Sequence, residues 1–378
     1  VALSRRGAAL ARSLATALPG DVTLHLDRRF LGEVTGAAPP EVIPFDLPLR
    51  PVVQQLFQEY QQLVLFLPVG AAVRLLAPCL NDKHQDPAVV CVDDAGRFAV
   101  SLLSGHLGGA DRLAQEVAAI LGAAPVITSA SHVTGTLAVD LLGQEWGWRL
   151  EAAPLSVTRA SAAVVNGDPV GLCQQAGEGR WWPQDQPLPA NLRVYPSVQA
   201  LAESPAVAAL VITDQLAVVS ENASRGEFQT RPYETILAGK HVVVYRPRSL
   251  VAGMGCRRSV PVAELEQLLV KTFREHNLAL ASLRCIATAE LKSDEPGLLE
   301  LAERYGVPLV CYSVQELNQA FEGSAAHGGT PSQAARRLLG VWGVSEPAAL
   351  LASGSAELLV PRQKAARATI AVARMVFG

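Results

Sequence analysis

Residues 101–122 read SLLSGHLGGADRLAQEVAAILG. An apolar run that fits a strand gives way to a glycine-rich turn, and the turn opens onto an amphipathic helix. Leu113, Val117, Ile120 and Leu121 recur at i, i+4, i+7 and i+8, and Gly122 supplies the stop. Such a strand-to-helix junction belongs to an α/β fold. Gly105, Gly108 and Gly109 let the backbone approach a ligand closely, and the first helical amides are expected to point outward with the positive end of the dipole behind them, forming an anion cradle. His106 lies inside it. An imidazole that titrates near neutrality beside favoured negative charge suits acid/base chemistry at a carboxylate or acyl group. The same residues also describe a tight turn whose histidine only caps or packs. The spacing G-x-x-G-G has neither the third glycine of the dinucleotide fingerprint nor the Gly-Lys-Ser/Thr of a P-loop, which disfavours nucleotides.

Outward from this junction, VTLHL (22–26), LVLFL (63–67), AVVCV (88–92) and FAVSLL (98–103) alternate with helical patterns, as in a parallel or mixed sheet covered by helices. The opening VAL reads as the tail of a first strand, and the helix after it carries Leu10, Leu14 and Leu18. This first unit is placed at 1–145. A middle unit, 146–248, holds a strong turn at Asn166-Gly167-Asp168-Pro169, a stretch from Trp181 to Pro196 that reads as an exposed loop, and strands at 209–213, 216–220 and 241–245. A third unit, 249–378, begins with LVAGMGC (250–256), read as a strand entering a Gly-x-Gly turn. The helix after Pro261 buries Leu265, Leu268, Leu269 and Phe273, and CIATAEL (285–291) is a second strand. KSDEPG opens a helix with Leu298, Leu301, Ala302 and Tyr305 on one face, and residues 358–375 close as a basic loop followed by a strand or helix. The fold class is thus α/β, three small α/β units with parallel or mixed sheets covered by helices.

The 378 residues are 49% hydrophobic, enough to bury more than one core. Lysine and arginine total 32 against 35 aspartates and glutamates, a net charge of −3, so no bulk positive field exists to hold nucleic acid or an anionic membrane. An anionic ligand must then meet local basic clusters. Six cysteines without a C-x-x-C pair argue against a zinc site and a disulfide framework, and no metal ligand set is read. With no signal-peptide core or 18-residue apolar run, the expected compartment is the cytoplasm.

Gly253-Met254-Gly255-Cys256-Arg257-Arg258 is the second anion-type segment, with two adjacent arginines suited to bidentate carboxylate binding around Gly255. Cys256 there is a nucleophile only if its thiol is acidified, and an inert small residue is the better reading. Glu290, Lys292, Asp294 and Glu295 gather after a strand, where open α/β sheets place ligands. Asp294 or Glu295 precedes Pro296 in a capping position, so catalytic roles fall first on Glu290 and Lys292. Arg362, Lys364 and Arg367 offer positive charge for the same face. In the first unit, the polar loop 81–87 brings Lys83 and His84 ahead of a buried strand, and His132 lies in a loop after PVIT.

GAAVRLLAP, DKHQDPAVVCVDDAGRF and SLLSGHLGGADRLA, followed by GMGCRR, LKSDEPGLLELAERYGVPL and LLVPRQK, together resemble the CbiG family of cobalamin biosynthesis, the cobalt-precorrin-5A hydrolases. The resemblance covers nearly the whole chain and is thin between about residues 150 and 240. It implies a three-domain α/β enzyme that opens the δ-lactone of a cobalt-corrinoid tetrapyrrole with water and releases a two-carbon unit as acetaldehyde. No separate cofactor is implied, because the cobalt arrives with the substrate. Precorrin methyltransferases of the same pathway are implied as candidate partners. A flat macrocycle with many carboxylates fits scattered anion cradles: catalytic roles are expected of His106, Glu290 and Lys292, and substrate contacts of Lys83, Ser104, Gly105, Gly108, Gly109, Gly255, Arg257, Arg258 and Lys364. The chain departs from the family at Thr128-Ser129-Ala130-Ser131-His132, where T-T-A-T-D is usual, and at Ser259, where glycine often follows the two arginines. The third unit also resembles small CobE-type proteins, so the alternative is a non-catalytic module that binds and hands on corrin intermediates.

Overall fold

Every residue of Ala88–Val92 is buried, as a strand covered on both faces must be. In this computed structural model, which describes all residues except 34–40, 82–84, 106–107, 129–135, 183–185, 223–226, 326–341 and 378, that segment is strand β4 of the first of two compact units, Val1–Leu141. The other strands of the unit are β1 (Thr23–Asp27), β2 (Glu41–Phe45), β3 (Gln62–Phe66), β5 (Phe98–Leu103) and β6 (Ala124–Val126). β3 and β4 are parallel, β4 and β5 form an antiparallel hairpin, and β6 runs parallel to β5. β1 pairs in parallel with β2, and Ala2 bridges both Leu26 and Phe66, so the opening tripeptide sits between β1 and β3 as a strand remnant.

Alternation along β4 sorts its side chains between two cores. Ala88, Val90 and Val92 pack with helices α1 (Arg5–Ala17) and α4 (Ala110–Leu121), whereas Val89 and Cys91 face α2 (Leu49–Glu59) and α3 (Val69–Leu76). Each such valine contributes roughly 1.5–3 kcal/mol through burial. Helix α1 is started by Ser4, whose hydroxyl accepts the Gly7 amide at 2.9 Å.

The second unit, Leu142–Gly378, contains two five-stranded sheets. The strands of the first sheet are β7 (Arg149–Glu151), β8 (Val170–Gln174), β9 (Leu192–Val194), β10 (Ala208–Ile212) and β13 (His241–Arg246), in the order β7-β13-β10-β8-β9 with only β7 antiparallel. Helix α5 (Pro154–Asn166) ends at left-handed Gly167. Strands β11 (Val218–Asn222) and β12 (Glu227–Arg231) form a separate hairpin. The stretch read as loop between Trp181 and Pro196 therefore also supplies an edge strand, too short to show a period.

The second sheet orders β16 (Leu309–Tyr312), β15 (Leu283–Ala289), β14 (Leu250–Cys256), β18 (Ala368–Arg374) and β17 (Leu358–Lys364). Helices α8 (Val262–Glu275) and α9 (Pro296–Tyr305) cover one face through Leu265, Leu269, Phe273, Leu298 and Leu301, and α11 (Ser345–Ser353) covers the other. The closing basic segment is thus a β17–β18 hairpin rather than a loop.

Residues 213–217 and 277–279 join the two sheets. Asp214 is fully buried and accepts from Ser249 Oγ at 2.8 Å and, bidentately, from Arg374 Nε and Nη2 at 2.7 and 2.8 Å. Asn277 exchanges side-chain hydrogen bonds with Ala217 N and O at 3.0 and 2.8 Å. These contacts cross the residue-248 boundary, which separates two sheets of one compact unit. Among the described residues no helix is long and apolar enough to cross a membrane.

Candidate functional site

In the first unit the chain leaves β5 through Ser104, whose φ of 54° is left-handed, and re-enters helix at Gly109, whose φ is 84°. Gly108 is required sterically: a Cβ there would stand 2.5 Å from Ser104 Cβ and 2.9 Å from Ser104 O. Ser104 Oγ donates to Asp86 O at 2.8 Å, and the Asp86 carboxylate accepts the Asn81 amide at 3.2 Å. Asp86, near the end of the polar stretch, and Ser104, at the start of the glycine turn, 18 residues apart in sequence, therefore meet. His106, Lys83, His84 and His132 lie outside the described residues.

The cradle is narrower than the motif suggested. Ala110 N donates to Ser104 O at 3.2 Å and Asp111 N to Gly105 O at 3.0 Å, so the anion-binding role expected of the first helical amides does not extend to those two. The Asp111 carboxylate also stands at this helix start, where Ser101 Oγ donates to it at 2.7 Å and where a Cβ on Gly105 would meet it at 2.7 Å. Sequence reading passed over Asp111, although an acidic residue in the first turn of a helix is a recognised signal.

In the second unit, Gly253, Met254 and Gly255 are strand residues of β14 and not a turn. The correction has a packing cause. A Cβ on Gly253 would lie 1.9 Å from Ser345 O and 2.7 Å from Ala349 N, so this glycine lets α11 rest on the sheet. Gly255 O accepts from Thr369 Oγ1 at 3.3 Å, and a Cβ there would meet Val344 at 3.2 Å. Its backbone is engaged across β18, and the turn begins only at Arg257.

That turn is tethered residue by residue. Arg257 N donates to Arg367 O at 2.9 Å, and Arg258 Nη1 lies 3.6 Å from Asp294 Oδ2. Ser259 has a φ of 57°, which explains why glycine suits that position, and its amide donates to Glu295 Oε1 at 2.6 Å. Gly297 closes the contact, since a Cβ there would stand 2.3 Å from Val260 O. Arg257 and Arg258 are both exposed.

Glu290 is exposed, while Lys292 is buried with Nζ 3.2 Å from Glu295 Oε2. Glu295 occupies the cap position of α9, but its carboxylate makes no capping bond and turns toward Ser259 and Lys292 instead. Exposed Lys364 pairs with Thr369 across the hairpin, and Arg367 is held by Glu264 with Nη2 to Oε2 at 2.6 Å. The Arg362 amide donates to Glu346. Burial pushes the Cys256 thiol up to about 11, against the pull of Lys292. A neutral thiol is a poor nucleophile.

The carboxyl end of β14 and β15 thus assembles Arg257, Arg258, Glu290, Lys364 and Arg367 around Cys256 and Lys292. This resembles a carboxylate-binding rim, in which Asp294 and Glu264 lie against Arg258 and Arg367.

Family models match three successive stretches of the chain. The family model for the Cobalamin synthesis G N-terminal region matches residues 51–132, that for the Cobalamin biosynthesis central region matches 137–247, and that for the Cobalamin synthesis G C-terminus matches 250–373. The chain is 39% identical to the cobalt-precorrin-5A hydrolase of Priestia megaterium, with 100% of this chain and 94% of that protein covered. It is 33% identical to the cobalt-precorrin-5A hydrolase of Salmonella typhimurium, covering 93% of this chain and 90% of the relative. A 125-residue match at 33% identity, 33% of this chain and 79% of the relative, is to Protein CobE of a Sinorhizobium species. With such identity along its whole length, the chain belongs to the CbiG family of cobalamin-biosynthesis proteins.

Proposed function

We propose that this chain is a hydrolase acting on cobalt-precorrin-5A in cobalamin biosynthesis. The observation that carries the proposal is the 39% identity, from end to end, to the Priestia megaterium protein of that activity. Water attacks the lactone carbonyl and the acyl C–O bond breaks, leaving a carboxylate and a hydroxyl. Loss of the hydroxyl proton with cleavage of the adjacent C–C bond then gives acetaldehyde, and the electron pair passes into the conjugated macrocycle. No cofactor beyond the cobalt of the substrate is assigned.

Two residue assignments accompany this reading, one in each compact unit. In the first, His106 takes the proton from water, and Ser104, Gly105, Gly108, Gly109 and Lys83 form the surrounding anion-binding surface. In the second, Arg257 and Arg258 bind peripheral carboxylates as charge-assisted donors, with Lys364 at the rim. Glu290 is the exposed carboxylate of that rim. The cytoplasm is the assigned compartment, in keeping with six free thiols, and precorrin methyltransferases remain the candidate partners.

The decisive experiment is incubation of the purified chain with cobalt-precorrin-5A and assay of acetaldehyde. Stoichiometric release over many turnovers is the expected result. Binding of the corrinoid without any acetaldehyde would leave only the hand-over role.

A further inference from the structure

Among the charged groups at the end of the second sheet, two are withdrawn from solvent. Lys292 is 5% exposed and Glu295 is 2% exposed, and they face each other at 3.2 Å. A buried ion pair is a poor source of net stability, because desolvation of both charges offsets their attraction. What the pair holds is then the better account of it, and the remaining oxygen of Glu295 indicates this. Oε1 accepts the amide of Ser259, a residue held in a left-handed conformation directly after Arg257 and Arg258. Left-handed backbone is strained for a non-glycine residue, so an external restraint must hold it. The flanking contacts, Arg258 with Asp294 and Val260 O against Gly297, run along the same strip of the 294–297 turn.

We propose that Lys292 and Glu295 are positioning residues: the buried lysine fixes the Glu295 carboxylate, which holds the Ser259 amide and so aims Arg257 and Arg258 at the carboxylates of the substrate. The proposal rests on the reading that these two arginines bind the corrinoid. It replaces a catalytic role for Lys292 by an indirect one, since its ammonium is enclosed by Glu295 rather than presented to a ligand.

The test uses two neutral pairs of similar volume. Lys292→Met with Glu295→Gln removes both charges but keeps an acceptor for the Ser259 amide. Lys292→Met with Glu295→Leu removes the acceptor as well. Neutral replacement of a buried pair is usually tolerated, so both variants should fold, as checked by thermal melting. With cobalt-precorrin-5A as substrate, the Met/Gln pair, which keeps an acceptor that no lysine fixes, should raise KM about 3-fold, and the Met/Leu pair about 10-fold, with kcat little changed in both, the pattern of lost substrate binding. The single change Glu295→Gln leaves a buried ammonium without its counterion, and adding Lys292→Met should rescue it.

A kcat reduced about 100-fold in the Met/Gln pair at unchanged KM would place Lys292 in the chemistry and overturn the proposal. Equal KM values for the two pairs, with KM raised in Arg257→Ala and Arg258→Ala, would overturn it while leaving the arginine reading intact. Unchanged KM in those arginine variants would remove the reading itself, and the positioning role with it.

Discussion

Two glycine-rich segments in this chain, SGHLGG after β5 and GMGC within β14, look alike as sequence and are different objects in space. Each follows an apolar run, and each precedes residues suited to anions. In the first, glycines make a turn: Gly109 takes a left-handed φ of 84° and Gly108 clears Ser104. In the second, the glycines stay extended, and the missing side chain at Gly253 is the space into which α11 packs. A glycine after a strand therefore signals close approach, and only the partner decides between a ligand and another part of the chain. One segment should respond to mutation in its chemistry and the other in its stability.

The largest effect is expected at the first. His106→Ala should lower acetaldehyde release by about 10²–10⁴-fold, the usual span for a lost general base, with corrinoid affinity and melting temperature close to those of the parent. Turnover near the parent value would break the contrast, because the turn would then be as structural as the strand. Its complement is Gly253→Ala. A methyl group 1.9 Å from Ser345 O cannot be absorbed by rotating a flexible side chain, so backbone must move, and a loss of about 3 kcal/mol or more is expected in denaturant titration. A stable Gly253→Ala protein would show that α11 can slide on the sheet.

These two segments also show where sequence reading stops. Periodicity identified α4, α8 and α9 and the buried strands, because burial on one or two faces writes itself into the order of apolar residues. It could not show that Gly253 faces a helix starting at Ser345, a contact between residues far apart in the chain. Likewise, Arg257 and Arg258 were legible as a basic pair, but their tethers to Arg367 and Asp294, and that of Ser259 to Glu295, depend on the topology of the sheet. The edge strand β9 and the β17–β18 hairpin were misjudged for a related reason. A three-residue edge strand has no period to read, and alternating basic residues on β17 look like a loop until the partner strand is known.

An intermediate effect belongs to the arginines. Arg257→Ala and Arg258→Ala should each weaken corrinoid binding about 3- to 10-fold, the lower end for charge-assisted contacts, because both side chains are exposed and solvent screens them. The loss should shrink as salt is raised. A salt-independent loss would mean that the substitutions disturb the β14–β18 junction, making this end of the sheet structural like Gly253.

The smallest effect is expected at Cys256, which lies between the two behaviours, being attached to the packing strand yet adjacent to the arginine turn. Burial raises its thiol to about 11, Lys292 lowers it and Glu295 raises it again. An unfolded cysteine titrates near about 8.5, so the folded state favours the protonated form. Its contribution to stability is therefore present in full below about pH 8.5 and is lost as pH rises toward about 11. Cys285, also pushed to about 11, and Cys91, pushed to about 12, act in the same direction, so unfolding titrations should show stability falling across that alkaline window. A thiol raised this far keeps its proton at neutral pH and is a poor nucleophile. Cys256→Ser should keep turnover within about 2-fold, and quenched reactions should show no corrinoid-sized mass increase on the parent protein. Such an adduct, with a burst of product in a single turnover, would transfer the chemistry to the strand end and reverse the contrast between the two glycine segments.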